Sequence, residues 1–186
     1  MYKSLNKALL AGFLVSFSLL TQAAIIKATA MLDYGQEVAP SNPTPSDASG
    51  MATLMFNTDT STVDIMAEIT GISLADVTFP DGGLAFGNAG PFHIHNGFAG
   101  ENGPIVVPFS LASYFSETAT GISVMATGIS FDSALITNLY AGGLYLNLHT
   151  LDYGSGEIRG QLAAVNAPAI AGFIFFVALI LILRRN

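Results

Sequence analysis

Pro91-Phe-His-Ile-His-Asn-Gly-Phe-Ala-Gly-Glu-Asn-Gly-Pro104 alternates apolar with polar residues and then breaks into a glycine-rich turn. Leu144-Tyr-Leu-Asn-Leu-His-Thr-Leu-Asp-Tyr-Gly-Ser-Gly-Glu-Ile-Arg-Gly-Gln-Leu162 repeats the pattern on both sides of a turn at Asp152 to Gly156. A strand sends successive side chains to opposite faces. Phe92 and Ile94 therefore oppose His93 and His95, while Leu144, Leu146 and Leu148 oppose Tyr145, Asn147 and His149. Ile158 and Leu162 likewise oppose Glu157, Arg159 and Gln161. Each strand carries one apolar and one polar ladder, and the reading expects the polar ladders to face outward. All three histidines of the chain fall in these two stretches.

Outward from them, the chain continues to read as short strands. Ile25 to Leu32 forms a first strand, and Asp33 to Gly50, rich in Pro, Ser and Asp, reads as an exposed loop. Met51–Phe56 and Val63–Thr70 make a hairpin around Asn57-Thr-Asp-Thr-Ser61, with Val63, Ile65, Ala67 and Ile69 inside and Asp64, Glu68 and Thr70 facing water. Asp81 to Gly90 is a glycine-rich loop without the spacing or following helix of a phosphate loop. Ile105, Val107 and Phe109 mark a further strand, and Thr120 to Ser130 another. Phe131 to Gly143 has the signs of a short helix, with Asp132 as N-cap and Gly142 at C′. Seven or eight strands with one helical connection predict an all-β fold, an antiparallel Greek-key β-sandwich of Ig-like or superoxide-dismutase-like architecture.

The two ends read as sorting segments. Lys3 and Lys7, an apolar run from Ala8 to Leu20 and Thr21-Gln-Ala23 have the form of a secretory signal peptide over 1–23. Residues 24–164 form the domain, and 165–186 form a C-terminal segment with fifteen apolar residues from Ala169 to Leu183 followed by Arg184 and Arg185. That run is shorter than the about 20 residues of a relaxed membrane span, a mismatch that thinning and flanking residues absorb. The terminal arginines suit the cytoplasmic side. Val165-Asn-Ala-Pro168, the hydrophobic helix and the basic tail together resemble the PEP-CTERM type of bacterial sorting signal, in a Val-x-Ala-Pro variant. The resemblance implies an exosortase-type processing enzyme as partner, with delivery to the cell surface or extracellular matrix.

Composition limits the chemistry. Outside the end segments only Lys27 and Arg159 stand against thirteen carboxylates, a net charge near −11. Such a surface argues against nucleic acid and anionic lipid as partners. No cysteine is present, which removes disulfides, thiol catalysis and thiolate metal sites together. Stability must come from a sheet core of Ile, Val, Leu, Phe and Met.

His93-Ile-His95-Asn-Gly-Phe-Ala-Gly-Glu-Asn-Gly-Pro104, Leu144-Tyr-Leu-Asn-Leu-His149-Thr and Gly156-Glu-Ile-Arg-Gly-Gln-Leu162 occur in the order seen in CHRD domains, and the chain from about Ile26 to Val165 resembles that family. CHRD is the module first known from chordin and widespread in exported bacterial proteins. The resemblance implies a β-sandwich of unsettled biochemical role. Where the family often has a proline-containing turn after the His-Thr pair, this chain has Leu151-Asp-Tyr-Gly-Ser-Gly156, a change confined to a loop.

The histidines allow two readings. A His-x-His pair on one strand face, with His149 nearby, can supply three nitrogens to a single divalent transition metal, since imidazole suits Zn, Cu, Ni or Fe. Glu157 could add a carboxylate. In the plainer reading, which the sequence favours, the imidazoles cap turn carbonyls and pair with Glu157, and Asn147, Glu157 and Arg159 form a structural polar cluster in which Arg159 holds Glu157. Phe92-His-Ile-His95 also resembles copper–zinc superoxide dismutase. That enzyme's two-metal centre demands more histidines than the three present, and its disulfide has no counterpart here. No Gly-x-Ser-x-Gly context supports a serine hydrolase, and no EF-hand spacing surrounds Asp76 or Asp81. The expectation is thus a non-enzymatic module with no obligatory cofactor, displayed at the bacterial envelope and acting on an unknown extracellular partner. The alternative is a mononuclear metalloprotein or metalloenzyme using His93, His95 and His149.

Overall fold

A computed structural model describes residues 25–79 and 83–165. The signal and C-terminal helices expected from the sequence lie outside the described residues, within which no helix is long and apolar enough to cross a membrane. Among the described residues there are ten strands, β1 (Ile25–Asp33), β2 (Ser49–Asn57), β3 (Thr62–Thr70), β4 (Phe92–Asn96), β5 (Ile105–Phe109), β6 (Phe115–Glu117), β7 (Gly121–Ser130), β8 (Leu144–Leu148), β9 (Ile158–Gln161) and β10 (Ala163–Val165), with one α-helix, α1 (Leu135–Tyr140), between β7 and β8. The expected all-β antiparallel class with one short helix is what the chain adopts.

The strands run in the order β5-β4-β8-β9-β1-β2-β3-β7-β6, with β10 also on β1. They make one continuous sheet that curls on itself, so that its two halves face each other in the sandwich-like manner expected from the sequence. β1 is the joint. It pairs with β2 over its whole length, while its other edge takes β10 at Lys27 to Thr29 and meets β9 only at Asp33, opposite Arg159. A shared strand with a divided edge lets the sheet curl, and apolar residues from both halves then close into one cluster. Phe92, Ile94, Leu144, Leu146, Leu148 and Ile158 enter it from one half, and Ala28, Leu54, Val63, Ile65, Ile69 and Val124 from the other.

The hairpin β2–β3 forms as its alternation predicts, with Val63, Ile65, Ala67 and Ile69 buried. Its turn is held by Asn57, whose Oδ1 accepts from the amides of Asp59 (3.0 Å) and Thr60 (3.2 Å), the local bond that makes Asn a turn former. Gly142 takes φ +73° just past α1, as expected of a C′ residue. Asp132 is not the N-cap expected of it but lies two residues before that position. Its Oδ1 accepts from the amide of Ala134 at 2.9 Å, and Ala134, at the N-cap position, makes no side-chain cap bond.

Three expectations change. Methionine is not part of the core: Met31, Met51, Met55, Met66 and Met125 are all exposed. The polar ladders of β4, β8 and β9 do not face solvent either. All five residues of β8 are buried, as are His93 and Arg159. The reason is a second layer. The segment after β1, read as an exposed loop, lies partly buried across this face: Gln36 Oε1 accepts from the Gln161 amide (3.2 Å), Ser46 Oγ donates to Glu157 (2.6 Å) and the Tyr153 hydroxyl donates to Thr44 O (3.1 Å). With water excluded, the polar ladders must satisfy one another.

Candidate metal centre

β4 and β8 are adjacent and antiparallel, with His93 opposite Asn147 and His95 opposite Tyr145. His149 follows the end of β8, and its amide donates to Pro91 O at 2.7 Å, which carries the ladder one residue further. The three rings gather: centroids are 4.6 Å apart for His93 and His95 and 4.8 Å for His93 and His149. One ring nitrogen from each histidine lies within 4.8 Å of the other two, and among the described residues no carboxylate joins the group.

Each ring is aimed by a backbone carbonyl. His93 Nδ1 lies 3.2 Å from Gly90 O, His95 Nδ1 2.7 Å from Gly103 O, and His149 Nδ1 2.9 Å from Gly154 O. A carbonyl only accepts, so all three rings carry their proton on Nδ1 and leave Nε2 bare. Glycine is required at two of these carbonyls. A Cβ on Gly103 would stand 1.7 Å from Asn96 O at the end of β4, and one on Gly90 would stand 2.5 Å from Phe109 O of β5 at φ +66°, so only glycine lets these loops press close enough to the two strands to orient the rings.

The bare nitrogens conflict. His93 Nε2 and His149 Nε2 are 3.1 Å apart, and His95 Nε2 is buried with no hydrogen-bond partner. Two lone pairs at that separation repel unless something positive lies between them. A proton would require one ring to be an imidazolium. Burial opposes this, holding His93 down to about 3, with His149 and His95 adding to the effect; burial also lowers His95 and His149. At neutral pH the cluster is three uncharged imidazoles with inward lone pairs.

Tyr145 and Arg159, from β8 and β9, buttress this arrangement. The Tyr145 ring stacks on His95 at 4.7 Å with 2° between planes, and the Arg159 guanidinium carbon sits 3.4 Å from the Tyr145 ring centroid. Since β8 lies between β4 and β9, the phenol is held from both sides. Arg159 Nη1 donates to Glu101 O and Nη2 to Phe98 O, both at 2.9 Å. Arg159 thereby ties down the loop whose Gly103 aims His95, and the Tyr145 hydroxyl accepts from the Gly103 amide at 3.2 Å. A planar fork fits two carbonyls in this way and an ammonium does not.

The expected polar cluster is present with different partners. Arg159 holds carbonyls rather than Glu157. Glu157 takes hydroxyl bonds from Ser46 and Thr150, so it neither pairs with the imidazoles nor reaches the three nitrogens. Asn147, 3 % exposed, lies between His93 and Arg159 in register and has an unpartnered Oδ1. Glu37, which sequence reasoning did not single out, is the carboxyl that feels Arg159; burial still raises it to about 7. Nothing local marks Glu37, because it reaches the site through the covering segment. Gly90, Gly103 and Gly154 were legible only as turn formers, since carbonyl direction is not encoded in residue type.

No curated protein and no solved structure matches this chain. The family model of the CHRD domain matches residues 28–162, a span containing every residue of the centre just described, and the chain belongs to the CHRD domain family.

Proposed function

We propose that this CHRD domain is an exported, non-enzymatic binding module in which His93, His95 and His149 hold one divalent transition-metal ion. The pair of opposed Nε2 atoms 3.1 Å apart carries the reading. Metal-ligating histidines typically donate their other ring N–H to a carbonyl or carboxylate, which sets the tautomer and the ring direction, and all three rings do so here. With metal–nitrogen bonds of about 2.0–2.1 Å, ligand nitrogens in a tetrahedral site stand roughly 3.3 Å apart. The His93–His149 pair is near that spacing, and the His95 nitrogen lies within 4.8 Å of both. Three neutral nitrogens with no thiolate suit Zn, Cu, Ni or Fe, and a three-histidine set leaves a coordination position open.

Metal analysis of the purified protein tests this. One equivalent of metal, retained through desalting after supplementation and lost in His93→Ala and His149→Ala, is the expected result. Absence of retained metal from the folded wild type after supplementation with Zn²⁺, Cu²⁺, Ni²⁺ and Fe²⁺ would overturn it and leave the rings as staples for their three loops.

Export and envelope display rest on the sequence of 1–23 and 165–186. Intact-mass measurement of the cellular protein is the test. A chain beginning at Ala24 and lacking Arg184 and Arg185 supports signal removal and exosortase-type processing; one retaining both arginines argues for an uncleaved membrane anchor.

A further inference from the structure

Residues 38–46 belong to no strand or helix. Among the described residues their hydrogen bonds run through side chains rather than a backbone ladder, and four of these bonds end on the two loops that aim His95 and His149. Asn102 Nδ2 donates to Val38 O at 3.2 Å, and Asn102 precedes Gly103, whose carbonyl faces His95 Nδ1. Ser41 and Ser155 exchange bonds, each amide donating to the other's hydroxyl, the Ser155 amide at 3.2 Å. The Tyr153 hydroxyl donates to Thr44 O at 3.1 Å. Tyr153 and Ser155 bracket Gly154, whose carbonyl faces His149 Nδ1. The carbonyl that aims His93 lies elsewhere, at Gly90, whose amide donates to Gly87 O at 3.0 Å. One segment thus fastens two of the three rings through their loops.

The fastening is of a kind that can come undone. Ser41, Thr44 and their neighbours Pro43 and Pro45 are exposed, and a segment held by polar side-chain bonds opens more readily than a sheet core. Ala39 takes φ +52°, a left-handed conformation unfavourable for alanine, so the segment keeps this path only while its contacts hold it. We infer that residues 38–46 are a clasp on the metal centre, with Ser41, Asn102 and Ser155 as positioning residues, such that closing the clasp and binding the divalent ion favour one another. This rests on the three-histidine reading above. Opening frees the 97–104 and 151–156 loops together, turns the Gly103 and Gly154 carbonyls away from their rings and leaves only His93 aimed. Linkage is reciprocal: whatever factor opening costs in metal affinity, saturating metal lowers the open population by the same factor.

The test compares wild type with Ser41→Ala/Ser155→Ala and with Ser41→Thr/Ser155→Thr, the second of which keeps both hydroxyls. Zn²⁺ affinity is measured by competition with a chromophoric chelator, and exchange of backbone amides and ring Nδ1 protons by NMR. Loss of a partner beyond the ligands typically weakens metal binding 10–100-fold, so the alanine pair should bind Zn²⁺ about tenfold more weakly and the threonine pair within about twofold of wild type. Saturating Zn²⁺ should slow exchange of the Ser41 and Ser155 amides of wild type about tenfold. In the metal-free proteins the alanine pair should speed exchange of the His149 Nδ1 proton and leave that of His93 unchanged. Unaltered Zn²⁺ affinity in the alanine pair, an equal loss in the threonine pair, or Ser41 and Ser155 exchange indifferent to Zn²⁺ would each overturn the clasp. If wild type binds no Zn²⁺, the three-histidine reading fails by itself, and equal His149 Nδ1 exchange in wild type and the alanine pair is the separate result showing that the segment does not position the rings.

Discussion

Acidification should weaken the metal-free protein more steeply in a Glu37→Gln variant than in wild type, because two buried groups carry opposite linkage to pH. His93 titrates at about 3 in the folded chain, against about 6.5 when unfolded. Below 6.5 the unfolded chain takes up a proton that the folded chain refuses, so stability falls as pH falls. From this ring alone the loss reaches roughly 2 kcal/mol at pH 5. His95 and His149 shift in the same direction. Glu37 runs the other way. Its carboxyl is raised to about 7, so between about 4.3 and 7 the folded chain binds a proton that the unfolded chain has lost. That stability is fully present at low pH and disappears as pH rises through 7. Glu37 keeps some contact with solvent, so it offsets only part of the histidine loss. Glutamine cannot titrate and removes the offset. Urea denaturation with a strong chelator, from pH 8 to pH 5, should show the variant losing at least the roughly 2 kcal/mol assigned to His93, and wild type losing less. Equal pH slopes for the two proteins, or a variant that gains stability toward pH 5, would refute the assignment of these groups.

Gly103→Ala should lift the 97–104 loop, because its Cβ meets Asn96 O at 1.7 Å, and breaking the His95 and Tyr145 bonds to this residue should cost about 1–3 kcal/mol. Thermal melts measure the loss, and divalent metal affinity should fall with it. Arg159→Lys should cost about 2 kcal/mol in urea denaturation, since an ammonium cannot bridge Phe98 O and Glu101 O while stacked on Tyr145. A variant as stable as wild type would remove Arg159 from the support of the site. For the divalent ion, the fall in affinity on acidification should set in at a lower pH than for exposed histidines, because burial lowers the titration of all three rings and so reduces proton competition. A steep decline beginning near pH 6.5, as for exposed histidines, would contradict the depressed titration; isothermal calorimetry across buffers distinguishes the two.

Alternation along Phe92–Asn96 and Leu144–Leu148 was enough to establish strands, their inward residues and the all-β class, because a period of two is a property of the backbone. The family resemblance rested on the same residues and was carried by their order. The three histidines were named as a set from their placement on polar ladders. What the polar ladders face was decided only in three dimensions. The segment after β1 folds back over β4, β8 and β9, so a face that alternation assigns to water becomes a second interior, and Arg159, Asn147 and His93 are buried with it. The covering segment also introduces Glu37, more than a hundred residues from Arg159 in sequence. The choice between rings that merely staple turns and rings that share one point depends on which nitrogen each turn carbonyl engages. Carbonyl directions at Gly90, Gly103 and Gly154 follow from loop paths and close backbone approach, and no pattern of side-chain polarity along the chain records them.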